Sequence, residues 1–160
     1  MSFEDHRDIE RLMFGYARSV DRADWSEIGR LFTYGRVLTN NSPDVTEGGP
    51  AVADLWRTVN KVHEDGTLRT RHLLTNIDIE IDGDEARAES YFMVFQATDR
   101  TPLQPIAGGS YVDKFRRRTD GWWFDEKFIY IDLIGNVSDH LAIVIDQGPV
   151  DLAALRASGS

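Results

Sequence analysis

The hydrophobic periodicity of this chain changes once, near Gly66, and that change restricts the possible folds more than any other feature. Before it, apolar residues recur at the three- and four-residue spacing of helices, and after it apolar and polar residues alternate as in strands. The turn sequences IDGDE and RTDGW divide the second half into tight hairpins. Helices followed by a meander predict an α+β domain, with three N-terminal helices packed on one face of a strongly curved sheet.

Three helices are predicted in the first 62 residues. The first is the most regular, because one helix face contains the apolar residues Ile9, Leu12, Met13, Tyr16, Ala17 and Val20. Asp24 opens an Asp-x-x-Glu capping box and so begins a second, short helix. A possible strand at 34–39 and the turn-forming segment 40–50 follow, and Pro50 suits the first position of a third helix that runs to about residue 62.

Alternating residues predict four strands in the second half, at about 68–81, 85–98, 107–118 and 122–134. The first two strands and the last two are joined by tight turns and are therefore antiparallel. The linker RTPLQPIAGG, with two prolines and two glycines, separates the middle pair and is expected to bend the chain there.

Composition and charge narrow the function classes. The 160 residues are 41% hydrophobic and 28% charged, as in a single soluble globular domain. No apolar run reaches the ~20 residues of a membrane span, and the opening MSFEDHRDIERL is an amphipathic helix pattern, so the cytoplasm is the expected location. The net charge of −9 repels polyphosphate and argues against a nucleic-acid partner.

The residue inventory predicts chemistry without a cofactor. There is no cysteine, so reactivity must come from His, carboxylate, hydroxyl, Lys and Arg side chains. No His-x-x-x-His metal spacing, phosphate-binding Gly-rich loop or G-x-S-x-G elbow occurs. We therefore expect neither a metal nor a nucleotide cofactor.

One histidine stands in an unusual setting. Surface exposure explains the other three, His6, His63 and His140, which lie among charged residues or in a loosely patterned tail. His72 instead lies in TRHLLTN, at the start of an apolar strand. Strand alternation places His72 and Asn76 on one face, toward a cavity, and Arg71 on the other. His is well matched to proton transfer near neutral pH, although a backbone hydrogen bond at a strand end is the alternative explanation.

Two residues of the first helix are further candidates. Tyr16 lies in the middle of the apolar stripe, where its buried hydroxyl needs a partner. Asp21 lies at the edge of that stripe near the helix end, where an acid opposes the negative pole of the helix dipole. Core packing for Tyr16 and a turn for Asp21 stay open as alternatives.

These elements together resemble the SnoaL-like and scytalone dehydratase-like proteins of the nuclear transport factor 2-like (ketosteroid isomerase-like) superfamily. The matching segments are YARSVDRADW at 16–25, LF at 31–32, TRHLLTN at 70–76, AGGSYVDKF at 107–115 and DGWWFDEKF at 120–128. The resemblance implies that residues 1–135 form a cone-shaped α+β barrel whose curved, mixed or antiparallel sheet and helices enclose an apolar pocket. Residues 136–160 would be a tail that covers the pocket or contacts another subunit.

The resemblance also implies a reaction and a site. In the dehydratase-like branch a Tyr, an Asp and a His meet in the pocket, and these correspond to Tyr16, Asp21 and His72. The implied substrate is a small hydrophobic cyclic hydroxy-ketone, steroid or polyketide-like molecule that loses water. Lys127 stands where this branch often has Arg, which is not equivalent in a bidentate contact. The expected substrate-binding residues are Asn76, Tyr111, Trp56, Phe32, Phe92, Phe128 and Lys127.

Other outcomes stay open at this stage. The same side chains could isomerise or cyclise a ketone or eliminate halide, and the superfamily includes members that bind a small ligand or act as subunits without catalysis. A homo-oligomer, dimer or trimer, is expected because small open sheets often bury their outer face against another subunit.

Overall fold

Capping residues fix the ends of the helices. The computed structural model describes residues 2–143, and in it α1 spans Phe3–Asp21 with Ser2 and Asp5 in a capping box. Helix α2, Trp25–Leu31, begins where Asp24 accepts a hydrogen bond from a backbone N–H one turn ahead, as predicted.

Helix α3 spans Gly49–Val59 and ends before the predicted residue 62. The reason is that Asn60 is extended and pairs with Leu141 as an isolated β-bridge. A Cβ on Gly49 would lie 2.2 Å from the carbonyl oxygen of Gly29, so only glycine lets α3 cross α2 this closely. None of the helices described between residues 2 and 143 is long and apolar enough to cross a membrane.

The strands form a six-stranded sheet in the order β2-β1-β6-β5-β4-β3. Neighbouring strands are antiparallel except for the parallel pair β1 and β6. The four strands predicted in the second half are confirmed, with ends shifted by a few residues. The strands are β1 Arg36–Thr39, β2 Ser42–Glu47, β3 Thr70–Asp82, β4 Glu85–Gln96, β5 Gln104–Arg118 and β6 Gly121–Ile134.

Two expectations about the sheet are wrong. Segment 40–50 was expected to be turn, but it contains β2, whose Pro43 is tolerated because β2 is an edge strand. The sheet is also not closed into a barrel, since β2 and β3 lie at opposite edges. Helices cover the gap between these two edges, because α1 contacts β3 and β6 while α3 contacts β2.

The helices pack on the inner, concave face of the sheet and bury the core there. Its largest fully buried apolar side chains are Ile9, Met13, Ile28, Leu31, Phe32, Leu68, Ile106, Phe115 and Phe124. The other surface of the sheet, here called the outer face, is also apolar. It carries Leu73, Tyr91 and Leu133, each more than two-fifths exposed, beside Met93 and Phe128. The predicted tail, 136–160, is described only to residue 143.

Candidate active site

A cavity of about 240 Å³ lies between the inner face of the sheet and helices α1 and α3. Its exposed lining residues, Asn41, Asp44 and Ile143, mark the open side. Mostly apolar walls with a few convergent polar groups are typical of a small-molecule site. The buried walls are formed by Tyr16, Val20, Val37, Trp56, Phe92, Val94, Tyr111 and Ile129.

Asp21 and His72 form the polar centre of this site. Asp21 is the last residue of α1, and its Oδ1 lies 2.6 Å from Nδ1 of His72. The carboxylate also accepts from the backbone N–H of His72 at 3.1 Å and from the Thr70 hydroxyl at 2.7 Å. These donors explain the unfavourable acid at the helix end, because together they fix its position and offset the dipole.

The contact with Asp21 also fixes the tautomer of His72. A carboxylate accepts hydrogen bonds, so Nδ1 of the neutral ring carries the proton and donates it to Asp21. Nε2 is then the acceptor that His72 can present to a molecule in the cavity, which the residue lines. Asp21 and His72 thus meet as the resemblance implies, and Arg71 is exposed on the opposite face as predicted.

Two tyrosines form the floor of the cavity. The rings of Tyr16 and Tyr111 meet edge to face with centroids 5.9 Å apart, and Phe92 stacks on Tyr111 at 4.4 Å. Burial raises the pKa of Tyr16 well above its ordinary value, against the effect of hydrogen bonding to Trp56. Burial likewise raises the pKa of Tyr111. Both phenols therefore stay protonated at neutral pH and can donate a hydrogen bond.

Lys127 lies beneath this floor rather than on the cavity wall, so its expected contact with substrate is wrong. Asp113 on the neighbouring strand stands directly opposite Lys127 and binds its ammonium at 3.1 Å and 3.2 Å. Both side chains are fully buried. Nζ lies 3.5 Å from the ring centroid of Tyr111 and 4.3 Å from that of Tyr16. Burial lowers the pKa of Lys127 and raises that of Asp113, and their mutual attraction opposes both shifts.

Three further expectations about pocket position are wrong. Asn76 is exposed because a β-bulge between Thr75 and Asp78 interrupts the alternation, with Asn76 itself at φ 52°. Phe128 points to the outer face, where it stacks on a ring two residues along β6 at 4.1 Å. Phe32 is fully buried in the core and contacts Tyr16 edge to face at 6.0 Å, so it supports the cavity floor from below.

The other expected residues do lie at the cavity. Its lining includes Tyr16, Trp56, His72, Phe92 and Tyr111, and Asp21 lies directly behind His72. Their placement follows the sequence prediction, and their roles stay predictions. Among residues 2–143, no group of three His, Asp or Glu side chains is arranged to hold a metal ion.

His140 is a buried cavity residue, so the expectation that it is exposed at the surface is wrong. It is 6% exposed, lines the cavity, and its ring centroid lies 6.0 Å from that of His72. Burial, followed by the proximity of His72, lowers the pKa of His140 to about 3. Its Nδ1 is buried and has no hydrogen-bond partner in the part of the chain that the structure describes. No periodicity could have indicated this, because the contacts that place His140 are distant in sequence.

Asp139 holds His140 in this position. Its buried carboxylate accepts from the hydroxyls of Thr98 at 2.7 Å and Thr101 at 3.0 Å, and it also binds Arg100. The backbone is fixed on the other side, where the N–H of Lys61 donates to the carbonyl of His140 at 2.8 Å. The segment after β6 is therefore tied to the domain on both sides of the histidine.

Comparison with known proteins identifies the family model that this chain fits. The model of the SnoaL-like domain matches residues 1–127. No curated protein sequence matches the chain.

Solved structures share the fold at low sequence identity. An NTF2-like protein with a cystatin-like fold from Novosphingobium aromaticivorans is 21% identical, with TM-score 0.69 over 80% of this chain and 82% of that one. A candidate scytalone dehydratase from the same organism is also 21% identical, with TM-score 0.69 over 92% and 94%. A protein of unknown function from Nostoc punctiforme is 21% identical, with TM-score 0.68 over 82% and 94%.

Proposed function

This chain belongs to the SnoaL-like domain family, and we propose that it is a cofactor-independent lyase that removes water from a small cyclic hydroxy-ketone. The observation that carries the proposal is the 2.6 Å contact between Asp21 and His72 at the wall of a largely apolar cavity. A base with a fixed tautomer in a largely apolar cavity suits removal of a proton next to a carbonyl. The likeness to a candidate scytalone dehydratase supports the same reaction class.

The proposed reaction is an elimination in which His72 moves one proton. Nε2 of His72 takes the proton from the carbon next to the carbonyl, and Asp21 stabilises the imidazolium that results. Tyr16 donates a hydrogen bond to the oxygen of the developing enolate. The imidazolium then returns the proton to the hydroxyl on the next carbon as the C–O bond breaks. A C=C bond and water are formed, and the ring is neutral again.

Cavity volume restricts the substrate. An apolar cavity of about 150 Å³ holds one benzene molecule, and the cavity here measures about 240 Å³. A substituted single ring or a fused bicycle therefore fits within its walls. A four-ring steroid or long polyketide would extend through the open side, past Asn41 and Asp44. We therefore favour the smaller members of the predicted substrate class.

Replacement of the base tests the proposal. In an assay of water loss across single-ring and bicyclic hydroxy-ketones, His72→Ala should lower kcat by about 10²–10⁴-fold, because a positioned acid–base group contributes that much. Asp21→Asn should also lower kcat, since the amide no longer holds the same tautomer. Arg71→Ala is the matched control, because its side chain is exposed on the opposite face of the same strand. Unchanged turnover in a folded His72→Ala variant would exclude the mechanism.

The same assay separates the alternatives. Exchange of the substrate proton with deuterium from D₂O without loss of water would indicate an isomerase, and halide release would indicate a dehydrohalogenase. Saturable binding of these ketones with neither reaction would indicate a member of the family that only binds a ligand.

A further inference from the structure

We propose that His140 is a second substrate-binding residue, whose Nε2 holds an oxygen atom of the substrate beside His72. The inference deepens the function proposed above and rests on it for the substrate class. It is carried by the burial of His140, its position in the cavity lining and a ring that has no hydrogen-bond partner within the described chain.

The first step is that the ring of His140 makes no hydrogen bond within the described chain. Polar side-chain atoms of buried residues nearly always have a hydrogen-bond partner, because leaving one without a partner destabilises the fold. Nδ1 of His140 is shielded on all sides, whereas Nε2 is the ring nitrogen that is not shielded, and the residue borders a cavity large enough for a small ring. A hydroxyl or carbonyl oxygen of a bound molecule would give Nε2 a partner.

The second step is that the position of His140 is enforced. The Asp139 carboxylate binds the segment to Thr98 and Thr101, and the N–H of Ala142 donates to the carbonyl of Val59 at 2.9 Å. These contacts lie on either side of His140 in the chain. The imidazole is therefore placed at the cavity by its neighbours, as a binding group must be if it is to orient a ligand.

The third step concerns charge. The titratable groups that influence the pKa of His140 are His72, Asp21 and His63, and Asp21 is bonded to the ring of His72. Two imidazolium rings 6.0 Å apart in a buried site would repel each other. Burial keeps the pKa of His140 low, so its ring is neutral when His72 takes up a proton. A neutral imidazole can both donate and accept a hydrogen bond.

The two rings lie side by side on the cavity wall. Their centroids are 6.0 Å apart and the rings meet edge to face, so a ligand contacts them from the cavity and not from between them. One small molecule can therefore touch both histidines. The pair suits a ring whose hydroxyl or carbonyl oxygen lies near the carbon that gives its proton to His72.

Two isosteric probes test the inference without turnover. We expect 2-naphthol to bind the wild type about 10-fold more tightly than 2-methylnaphthalene, by the amount of one hydrogen bond. In His140→Phe the two probes should bind with about equal affinity, because 2-naphthol binds more weakly while 2-methylnaphthalene binds as before. His140→Gln should retain part of the preference, because its amide reaches the position of Nε2. Both affinities come from ¹H–¹⁵N NMR titrations, whose spectra also show that each variant is folded.

Three results would overturn the inference. The preference could persist in His140→Phe, it could be lost in His72→Phe but not in His140→Phe, or neither probe could bind the wild type. The proposed lyase activity is judged separately. If the protein shows the His140-dependent preference but eliminates no water, the binding role of His140 stands and the proposed reaction is excluded. If it eliminates water but shows no such preference, the reaction stands and the binding role is excluded.

Discussion

At the scale of single residues, Lys127 has a structural role with Asp113 in place of the substrate contact that its sequence position indicated. The ammonium is held by Asp113 and lies against the rings of Tyr16 and Tyr111, so it touches the cavity only through the tyrosines. A buried ion pair adds little net stability, but removal of one member leaves the other charged in an apolar surrounding. The pair therefore fixes the positions of the two tyrosines that form the cavity floor.

Lys127→Met tests this explanation. We expect it to lower the free energy of unfolding by about 3–5 kcal/mol, because Asp113 is left buried without its partner. The double variant Asp113→Leu/Lys127→Met should recover most of that loss. Lys114→Met is the control, since the Lys114 ion pair is partly exposed and should contribute at most about 1 kcal/mol. Urea unfolding measures all three, and a cost for Lys127→Met no larger than the control would refute the explanation.

Residues of the site could be predicted where the neighbouring sequence alone marks them as unusual. An acid at a helix end and a histidine in an apolar strand are visible in the sequence, and both Asp21 and His72 lie where those signals indicated. Asn76 was misplaced because a one-residue bulge reverses the faces beyond it. His140 was missed because its position depends on contacts of Asp139 across about 40 residues of chain.

At the scale of elements, the position of the segment after β6 depends on the carboxylate of Asp139. Asp139→Ala removes the acceptor of the Thr98 and Thr101 hydroxyls. We expect the amide of Ala142, which donates to Val59, to exchange with D₂O at least about 10-fold faster through local opening. Asp99→Ala is the control, because Asp99 is nearly fully exposed and makes only a 3.8 Å ion pair. Equal exchange in the two variants would show that Asp139 does not hold the segment.

The elements that could be predicted are those with a clear local signal in the sequence. Helix α1 and strands β3 to β6 are long enough to show their periodicity, and each was predicted. Strand β2 has six residues, includes a proline and lies at the edge, so its sequence is that of a turn. The parallel pairing of β1 with β6 could not be predicted, because no local pattern specifies a partner about 90 residues away.

At the scale of the whole molecule, we propose that the exposed apolar residues of the outer face contact a second copy of the chain. Leu73, Tyr91 and Leu133 are exposed there, and within residues 2–143 the helices pack on the other face. We therefore expect a homo-oligomer in solution, as small open sheets often form.

Tyr91→Glu tests the oligomer. A charge in the centre of the outer face should shift the protein toward the monomer, because burial of an unpaired carboxylate is unfavourable. Leu103→Glu is the control, since Leu103 is 74% exposed and lies in the loop before β5. Sedimentation velocity measures the species present. A wild-type monomer at every concentration, or an unchanged assembly in Tyr91→Glu, would contradict the expectation.

The parallel pair of β1 and β6 restricts when the fold can be completed during synthesis. Strand β1 pairs with residues 126–129 of β6, so the β1 and β2 hairpin cannot join the rest of the sheet until those residues have left the ribosome. The three helices are made earlier, and contacts so distant in sequence form slowly. The last described lining residues, His140, Leu141 and Ile143, follow later still, so the nascent chain has the described cavity in full only when nearly all of residues 2–143 have been made.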